Sequence, residues 1–206
     1  MLQEIQEKQN LGSYIILEGR VHGSYEYPDI LVARQRTHQS KNWYDAHEAL
    51  AAEGKFMPTL RQYVDFLSDL KSGKKLYIGD GKELDIQVRT KILDEILTPR
   101  SPWRAEHLDA KFSAQGNQFY ITYHKFNQGK LEKVTEPLQE YLMQDKTPGI
   151  SLDDWLKNAN DQGLPLPSAK QGNLYYWHPR DGSVAGFLAV SSRAVLVCLR
   201  YPQFSD

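Results

Sequence analysis

The feature that most constrains the fold lies at the C-terminal end of the chain, where two short apolar runs follow each other. Residues 183–206 read SVAGFLAVSSRAVLVCLRYPQFSD and contain no Lys, Glu, Met or Trp. In the apolar run from Val184 to Val190, successive side chains fall alternately on two sides of a strand, and a second such run begins after Arg193. A period of two residues predicts β-strands, so we expect a terminal hairpin with two chemically different faces.

Two interpretations of this composition are open. Buried strands lack Lys and Glu because charged side chains are costly to desolvate, so a plain buried hairpin is one of them. The other rests on the genetic code. Codons with two random bases followed by a pyrimidine cannot encode Lys, Glu, Gln, Met or Trp, and Gln203 alone breaks that rule in residues 183–206.

The remainder of the chain predicts one α+β domain spanning residues 1–206. A chain of 206 residues at 40% hydrophobic can bury a sizeable core. The net charge of −1 and the isoelectric point near 6.6 argue against a general nucleic-acid binder, so no nucleic-acid partner is expected. Periodicity and capping residues predict helices at 43–53, 59–70, 83–97 and 151–160, with a short helix or irregular segment at 136–143. Strands are predicted at 13–17, 30–33, 110–112, 118–126 and 173–177, followed by the terminal hairpin.

The N-terminal sequence MLQEIQEKQN is polar where a signal peptide requires an apolar stretch. We therefore expect a cytoplasmic protein, with display on a cell or virus surface by another route as the alternative. No apolar run approaches the about 18 residues of a membrane-spanning helix. The single cysteine, Cys198, lies among valines and leucines and is predicted to pack as a small apolar side chain.

Enzyme and metal motifs are weak, so the sequence predicts a protein that is not an enzyme and has no cofactor. His47 and Glu48 begin like the helix of a zinc protease, but Ala51 stands where the second His of that helix is needed. The six histidines are dispersed and are predicted to be surface or structural residues. Gly79 and Gly81 lack the full spacing of a phosphate-binding loop.

Several strings together resemble a known family. They are the tail itself, the preceding GNLYYWHPRDG and SLDDWLKNANDQGLP, and the central WYDAHEALAAEGKFMP and SPWRAEHLDAKF. The chain from Trp43 onward is similar to archaeal, Nanoarchaeota-type variable proteins that are diversified by retroelements. That resemblance implies a C-type-lectin-like fold, with helices packed on small antiparallel sheets. It also implies that the 3′ end of the gene is rewritten from a template RNA copied with errors at adenines, in agreement with the codon pattern.

The resemblance assigns two kinds of position to the tail. It implies that fixed scaffold residues are Val184, Ala185, Phe187, Ala189, Ala194, Leu196, Cys198 and Pro202. It implies that displayed, variable, ligand-binding residues are Leu188, Val190, Ser192, Val195, Val197, Leu199, Tyr201, Phe204 and Asp206. The displayed set would form an exposed apolar patch suited to a protein surface as ligand. Glu136 and Pro137 are followed by Leu138, not by the Asn of a mannose-type calcium site, so no calcium is expected.

Two other classes of function stay open at this point. A small hydrolase or transferase predicts a cleft in which His107, His124 or His178 meets Asp, Glu or Cys198 within hydrogen-bond reach. A structural subunit predicts that the apolar tail packs permanently against another copy of the chain.

Overall fold

The computed structural model describes residues 11–101, 104–127, 130–190 and 192–199, with Leu199 described through its backbone alone. Helices and strands alternate irregularly along these residues, which confirms the α+β prediction. The helices are α1 (Trp43–Ala52), α2 (Leu60–Ser72), α3 (Ile86–Leu97) and α4 (Leu152–Asn158). No helix in the described part of the chain has the length and apolar character needed to cross a membrane.

The strands form one large sheet and two small ones. The strands are β1 (Tyr14–Leu17), β2 (Arg20–His22), β3 (Tyr25–Tyr27), β4 (Ile30–Ala33), β5 (Arg104–Gln115), β6 (Gln118–Asn127), β7 (Lys130–Pro137), β8 (Lys146–Ile150), β9 (Leu174–Tyr176), β10 (Val184–Val190) and β11 (Arg193–Leu199). Seven of them pair in the order β7-β6-β5-β10-β11-β9-β8, while β1 pairs with β4 and β2 with β3. The fold implied by the resemblance has small antiparallel sheets. The main sheet is larger than that, and β11 and β9 run parallel within it.

Helix α2 is the best-signalled element of the chain. The Thr59 hydroxyl accepts a hydrogen bond from the Gln62 amide, and the Gln62 side chain accepts one from the Thr59 amide, a capping box that starts the helix. Gly73 ends the helix with φ at 78°, a left-handed conformation that costs glycine little. Its side chains at Leu60, Val64 and Leu67 are at most 1% exposed.

The main core lies between α2 and one face of the large sheet. Phe187 of β10 packs at its centre, with its ring 5.6 Å from that of Tyr63 on α2 and 6.4 Å from that of Trp155 on α4. Leu108 and Phe112 of β5 are fully buried in the same cluster. The two central strands β5 and β10 therefore supply much of the apolar surface that the helices cover.

The sequence analysis did not predict either edge strand of the large sheet, β7 or β8. Strand β7 is polar and mostly exposed, as is usual for an edge strand protected by charge, and its sequence KLEKVTEP has no apolar alternation. Strand β8 at the other edge contains Pro148 and Gly149, residues that argue against a strand except at a sheet edge. The predicted helices and strands are present, whereas the segment 136–143, which the structure describes in full, contains no helix and its first two residues belong to β7. The first strand of the β5–β6 hairpin, predicted at 110–112, is much longer than expected.

Candidate functional site

The predicted ligand-binding tail contributes two strands at the middle of the large sheet. Strand β10 pairs with β5 on one side and with β11 on the other, and β11 also pairs with β9. Phe187 lies opposite Leu196, and Leu188 lies opposite Val195. The hairpin is therefore present, and its side chains divide between two faces as the alternation predicted.

One face of this hairpin, which we call the core face, consists of Ala185, Phe187, Leu196 and Cys198. All four belong to the main core, and none is more than 3% exposed. Ala189 is also buried and Ala194 is partly buried against the same cluster. Val184 is 2% exposed and packs with Trp43 and Met57 in a separate small cluster. Burial is thus as predicted at these scaffold positions except Ala194, which is only partly buried, and Pro202 lies outside the described residues.

The other face, which we call the opposite face, consists of Leu188, Val195 and Val197, and the prediction that these side chains are displayed to solvent is wrong. They are 9%, 4% and 1% exposed and form an apolar cluster of their own. Its described neighbours are partly buried and comprise Ala105, Tyr175, Trp177 and Val190. Burying apolar area is favourable, and the strand period reports which face a side chain takes, not whether that face is covered.

The remaining predicted contact positions divide into accessible and undescribed ones. Val190 is half-buried and Ser192 is exposed at the turn between β10 and β11. The neighbouring Arg193 is exposed, and its guanidinium lies 4.7 Å from the centre of the Tyr175 ring. The backbone of Leu199 pairs with Val184, but the Leu199 side chain is not among the described ones. Tyr201, Phe204 and Asp206 lie outside the described residues.

A large cavity lies elsewhere, beneath the segment 34–41. Its volume is about 920 Å³, and its wall includes Tyr63, Ile92 and Arg104. The Tyr63 hydroxyl is buried and has no hydrogen-bond partner among the described residues, and burial raises the pKa of this phenol. Cavities of this size hold drug-sized molecules. The sequence did not predict the cavity, because its wall comes from segments far apart in the chain.

Two His–Asp pairs match part of what an enzyme would require. His124 Nδ1 lies 3.1 Å from both carboxylate oxygens of Asp109, and His178 Nδ1 lies 2.6 Å from Asp145 Oδ1. His107 instead hydrogen-bonds through Nε2 to the carbonyl oxygen of Lys41. Neither pair has a hydroxyl or thiol among the hydrogen-bond partners that the described residues provide. Cys198 is buried in the core, where desolvation raises the pKa of its thiol, so it is poorly suited to be a nucleophile.

The pair at Asp109 is joined by a second histidine. His47 Nε2 lies 3.3 Å from Asp109 Oδ1, and the nitrogen and oxygen atoms that His47, Asp109 and His124 can offer to a metal lie within 4.8 Å of one another. Burial alone would raise the pKa of Asp109, but the hydrogen bond from His124 and the nearby His47 outweigh it and hold that pKa below its usual range. The same hydrogen bond to Asp109 raises the pKa of His124. We call these three residues the His–Asp–His cluster.

Sequence reasoning missed this cluster. It considered His47 as a ligand only together with a second His on the same helix, and Ala51 excluded that arrangement. The partners come instead from β5 and β6, which lie far from α1 in sequence. Alternation along the predicted strand 118–126 was the one available signal, since it places His124 on a defined face.

Comparisons of the chain with protein-family models, with curated proteins and with solved structures return no match.

Proposed function

We propose that the protein is a ligand-binding protein, not an enzyme, whose C-terminal segment is diversified by a retroelement and carried on a fixed C-type-lectin-like scaffold. The ligand is proposed to be a protein surface. The proposal starts from the resemblance of the tail and from the restricted codons of residues 183–206. Helices packed on a largely antiparallel sheet are compatible with the proposed scaffold.

One structural observation supports this division of labour. The large sheet separates the core face of the hairpin, which belongs to the main core, from the opposite face, which packs in a cluster of its own. Substitutions on the opposite face therefore leave the contacts of Phe187 with Tyr63 and Trp155 in place. A segment can vary in sequence without loss of the fold only if such a separation exists.

Burial of the opposite face changes which residues are proposed to touch the ligand. Among the described residues, the contacts are assigned to Val190 and Ser192 at the β10–β11 turn. Leu199, Tyr201, Phe204 and Asp206 complete the proposed contact set. Leu188, Val195 and Val197 stay proposed variable positions, but their burial means that they do not meet the ligand.

The gene provides the first test. We expect a near-copy of the DNA that encodes the last segment, differing from it at adenines, close to a gene for a reverse transcriptase. Sequencing the flanking DNA decides the matter. If neither is present, the tail returns to the alternative of a plain buried hairpin with no diversification.

A pair of libraries provides the second test. One library places two-random-base, pyrimidine-ending codons at Leu188, Val190, Ser192, Val195 and Val197, and the matched library places them at Ala185, Phe187, Ala189, Leu196 and Cys198. We expect a clearly larger fraction of the first library than of the second to resist protease when displayed on yeast. Equal survival of the two libraries would contradict the separation of scaffold from variable positions.

A further inference from the structure

The His–Asp–His cluster brings together residues from three elements, each held by contacts outside the cluster. His47 lies one turn after Trp43 on α1, and the two rings are 4.2 Å apart. Trp43 Nε1 donates a hydrogen bond of 2.8 Å to the carbonyl oxygen of Leu108, which fixes the helix on β5. The Trp43 side chain also packs with Met57 and Val184. His47 is thus positioned by a buried anchor and not by the cluster itself.

Asp109 on β5 is also held by a contact outside the cluster. It is 2% exposed, and its amide donates to the carbonyl oxygen of Pro58 over 2.8 Å. The backbone amide of His124 donates to Asp109 Oδ2 over 2.7 Å. A buried carboxylate is costly unless it is paired, and this one is oriented so that Oδ1 points towards both histidines.

Within the described part of the chain, the cluster leaves one nitrogen without a hydrogen bond, and the distances from Asp109 to the two histidines are compatible with a shared metal ion. His47 Nε2 is buried and, although 3.3 Å from Asp109 Oδ1, it has no partner in hydrogen-bonding geometry among the described residues. An unpartnered buried nitrogen is unusual and calls for an explanation such as an ion. Tetrahedral ligands at metal distances of about 2.0–2.2 Å lie about 3.3–3.6 Å apart. The separation of 3.3 Å from Asp109 to His47 lies at the lower limit of this range, and the separation of 3.1 Å to His124 lies just below it, so a small outward shift of His124 would admit an ion.

The site is also open on one side. The side chains of His47 and His124 are 21% and 29% exposed, whereas that of Asp109 is 2% exposed. An ion could enter from solvent past the histidines and keep water in its remaining positions. Three protein ligands with an open position are typical of metal sites that exchange a ligand, in contrast to closed structural sites with four.

We propose that His47, Asp109 and His124 bind one divalent transition-metal ion, with Nε2 of His47, Nδ1 of His124 and Oδ1 of Asp109 as ligands. Two imidazoles and one carboxylate suit Zn²⁺ and related ions, whereas calcium requires oxygen ligands. This site is distinct from the tail and does not depend on the proposed function. The expectation that the histidines are only structural is replaced here by a binding role for two of them.

The test uses the full chain, stripped of metal with a chelator and titrated with ZnCl₂ by isothermal calorimetry. We expect one ion per chain and a rise in thermal midpoint on binding, because an ion that binds only the folded state stabilises it. The variants His47→Gln and His124→Gln should each weaken zinc binding by about tenfold or more, because even the loss of a residue that only orients a metal ligand typically costs about 10- to 100-fold.

His178→Gln is the matched control, because His178 also pairs with an aspartate but has no second histidine in a metal-competent group among the described residues. It should bind zinc like the unaltered chain. Circular dichroism of each metal-free variant shows whether it is folded, and Asp109→Asn adds a second route if a histidine variant unfolds. Absence of stoichiometric binding to the unaltered chain would overturn the proposal. Equal zinc affinity in the His47, His124 and His178 variants would do the same.

Discussion

The two faces of the C-terminal hairpin are made of similar side chains but do different work. The core face adds Phe187 and Leu196 to a cluster that extends through α2, α4 and the large sheet. Among the described residues, the opposite face forms a cluster whose buried members are Leu188, Val195 and Val197, and the apolar residues around them are partly buried. Burial of an individual side chain is nearly the same on both faces, but the depth of packing behind it differs.

This difference separates burial from importance for the fold. The cost of removing a buried side chain depends on how well its surroundings relax into the space left behind. Neighbours in the deep core are held by further layers, whereas partly exposed ones such as Tyr175 and Trp177 are free to move towards the gap. The two faces should therefore respond differently to the same kind of truncation.

The largest effect is expected from Phe187→Ala on the core face. Phe187 is 1% exposed and its ring packs near those of Tyr63 and Trp155, so the substitution leaves a cavity that costs about 3–5 kcal/mol. Urea unfolding followed by circular dichroism measures this loss. Phe126→Ala is the control, because Phe126 is 49% exposed and should cost less than about 1 kcal/mol. A loss below about 1 kcal/mol for Phe187→Ala would contradict the deep packing assigned to the core face.

A smaller effect is expected from Leu188→Ala on the opposite face. Leu188 is only 9% exposed, but its partly buried neighbours can relax into the space that truncation leaves. The loss should therefore be near the lower limit of about 2 kcal/mol for such truncations. Leu196→Ala is the matched control on the core face, where the leucine is fully buried, and it should cost clearly more. If Leu188→Ala costs as much as Leu196→Ala, the two faces are equivalent and the proposed tolerance of variation loses its support.

Local signals in the sequence were sufficient for much of the fold. Thr59 and Gly73 bracket α2 because capping and left-handed glycine act within a few residues. The alternation assigned Phe187 to the core face and Leu188 and Val190 to the opposite face for the same reason. These features depend on the backbone period and on neighbouring residues, which a single sequence contains.

Features that depend on distant parts of the chain were not predictable. Burial of Val197 depends on what covers its face, which the period of its strand does not report. Strand β7 is set by pairing with β6, not by its own apolar pattern. The His–Asp–His cluster needs α1 to pack on β5 beside β6, so no short spacing could identify it.

The effect of Arg193→Ala should be smaller still. Arg193 is exposed beside the β10–β11 turn, and its described contact is the cation–π approach to Tyr175 at 4.7 Å. Such exposed contacts contribute about 0.5–1 kcal/mol, so a loss near 0.5 kcal/mol is expected, with Arg193→Lys retaining part of it. The same unfolding experiment measures it. A loss above that of Leu188→Ala would show that the turn, not the opposite face, carries the stability of this side of the sheet.

The smallest effect is expected from acid, at the segment that leads into β10. Asp145 Oδ1 accepts a hydrogen bond of 3.0 Å from the His178 amide, and Asp145 Oδ2 pairs with Arg180. Burial alone would raise the pKa of Asp145, but the hydrogen bonds from the amide and ring of His178 and the charge of Arg180 lower it overall. A carboxyl whose pKa is lower in the folded state stabilises the fold above its unfolded pKa of about 3.9, and that contribution disappears as the pH falls through the lower folded value.

The effect on global stability is expected to be slight, because the Asp145 side chain is 36% exposed and solvent screens its charge. The amide resonance of His178 should titrate with a midpoint below about 3.9 in a two-dimensional NMR series, and that step should vanish in Asp145→Asn. Amides of the core face, such as that of Leu196, should not follow it, since the deep core does not rely on this carboxylate. A midpoint at or above about 3.9 would show that His178 and Arg180 do not stabilise the charged form of Asp145. If the Leu196 amide titrated together with the His178 amide, both faces of the hairpin would depend on the segment that Asp145 holds through His178 and Arg180.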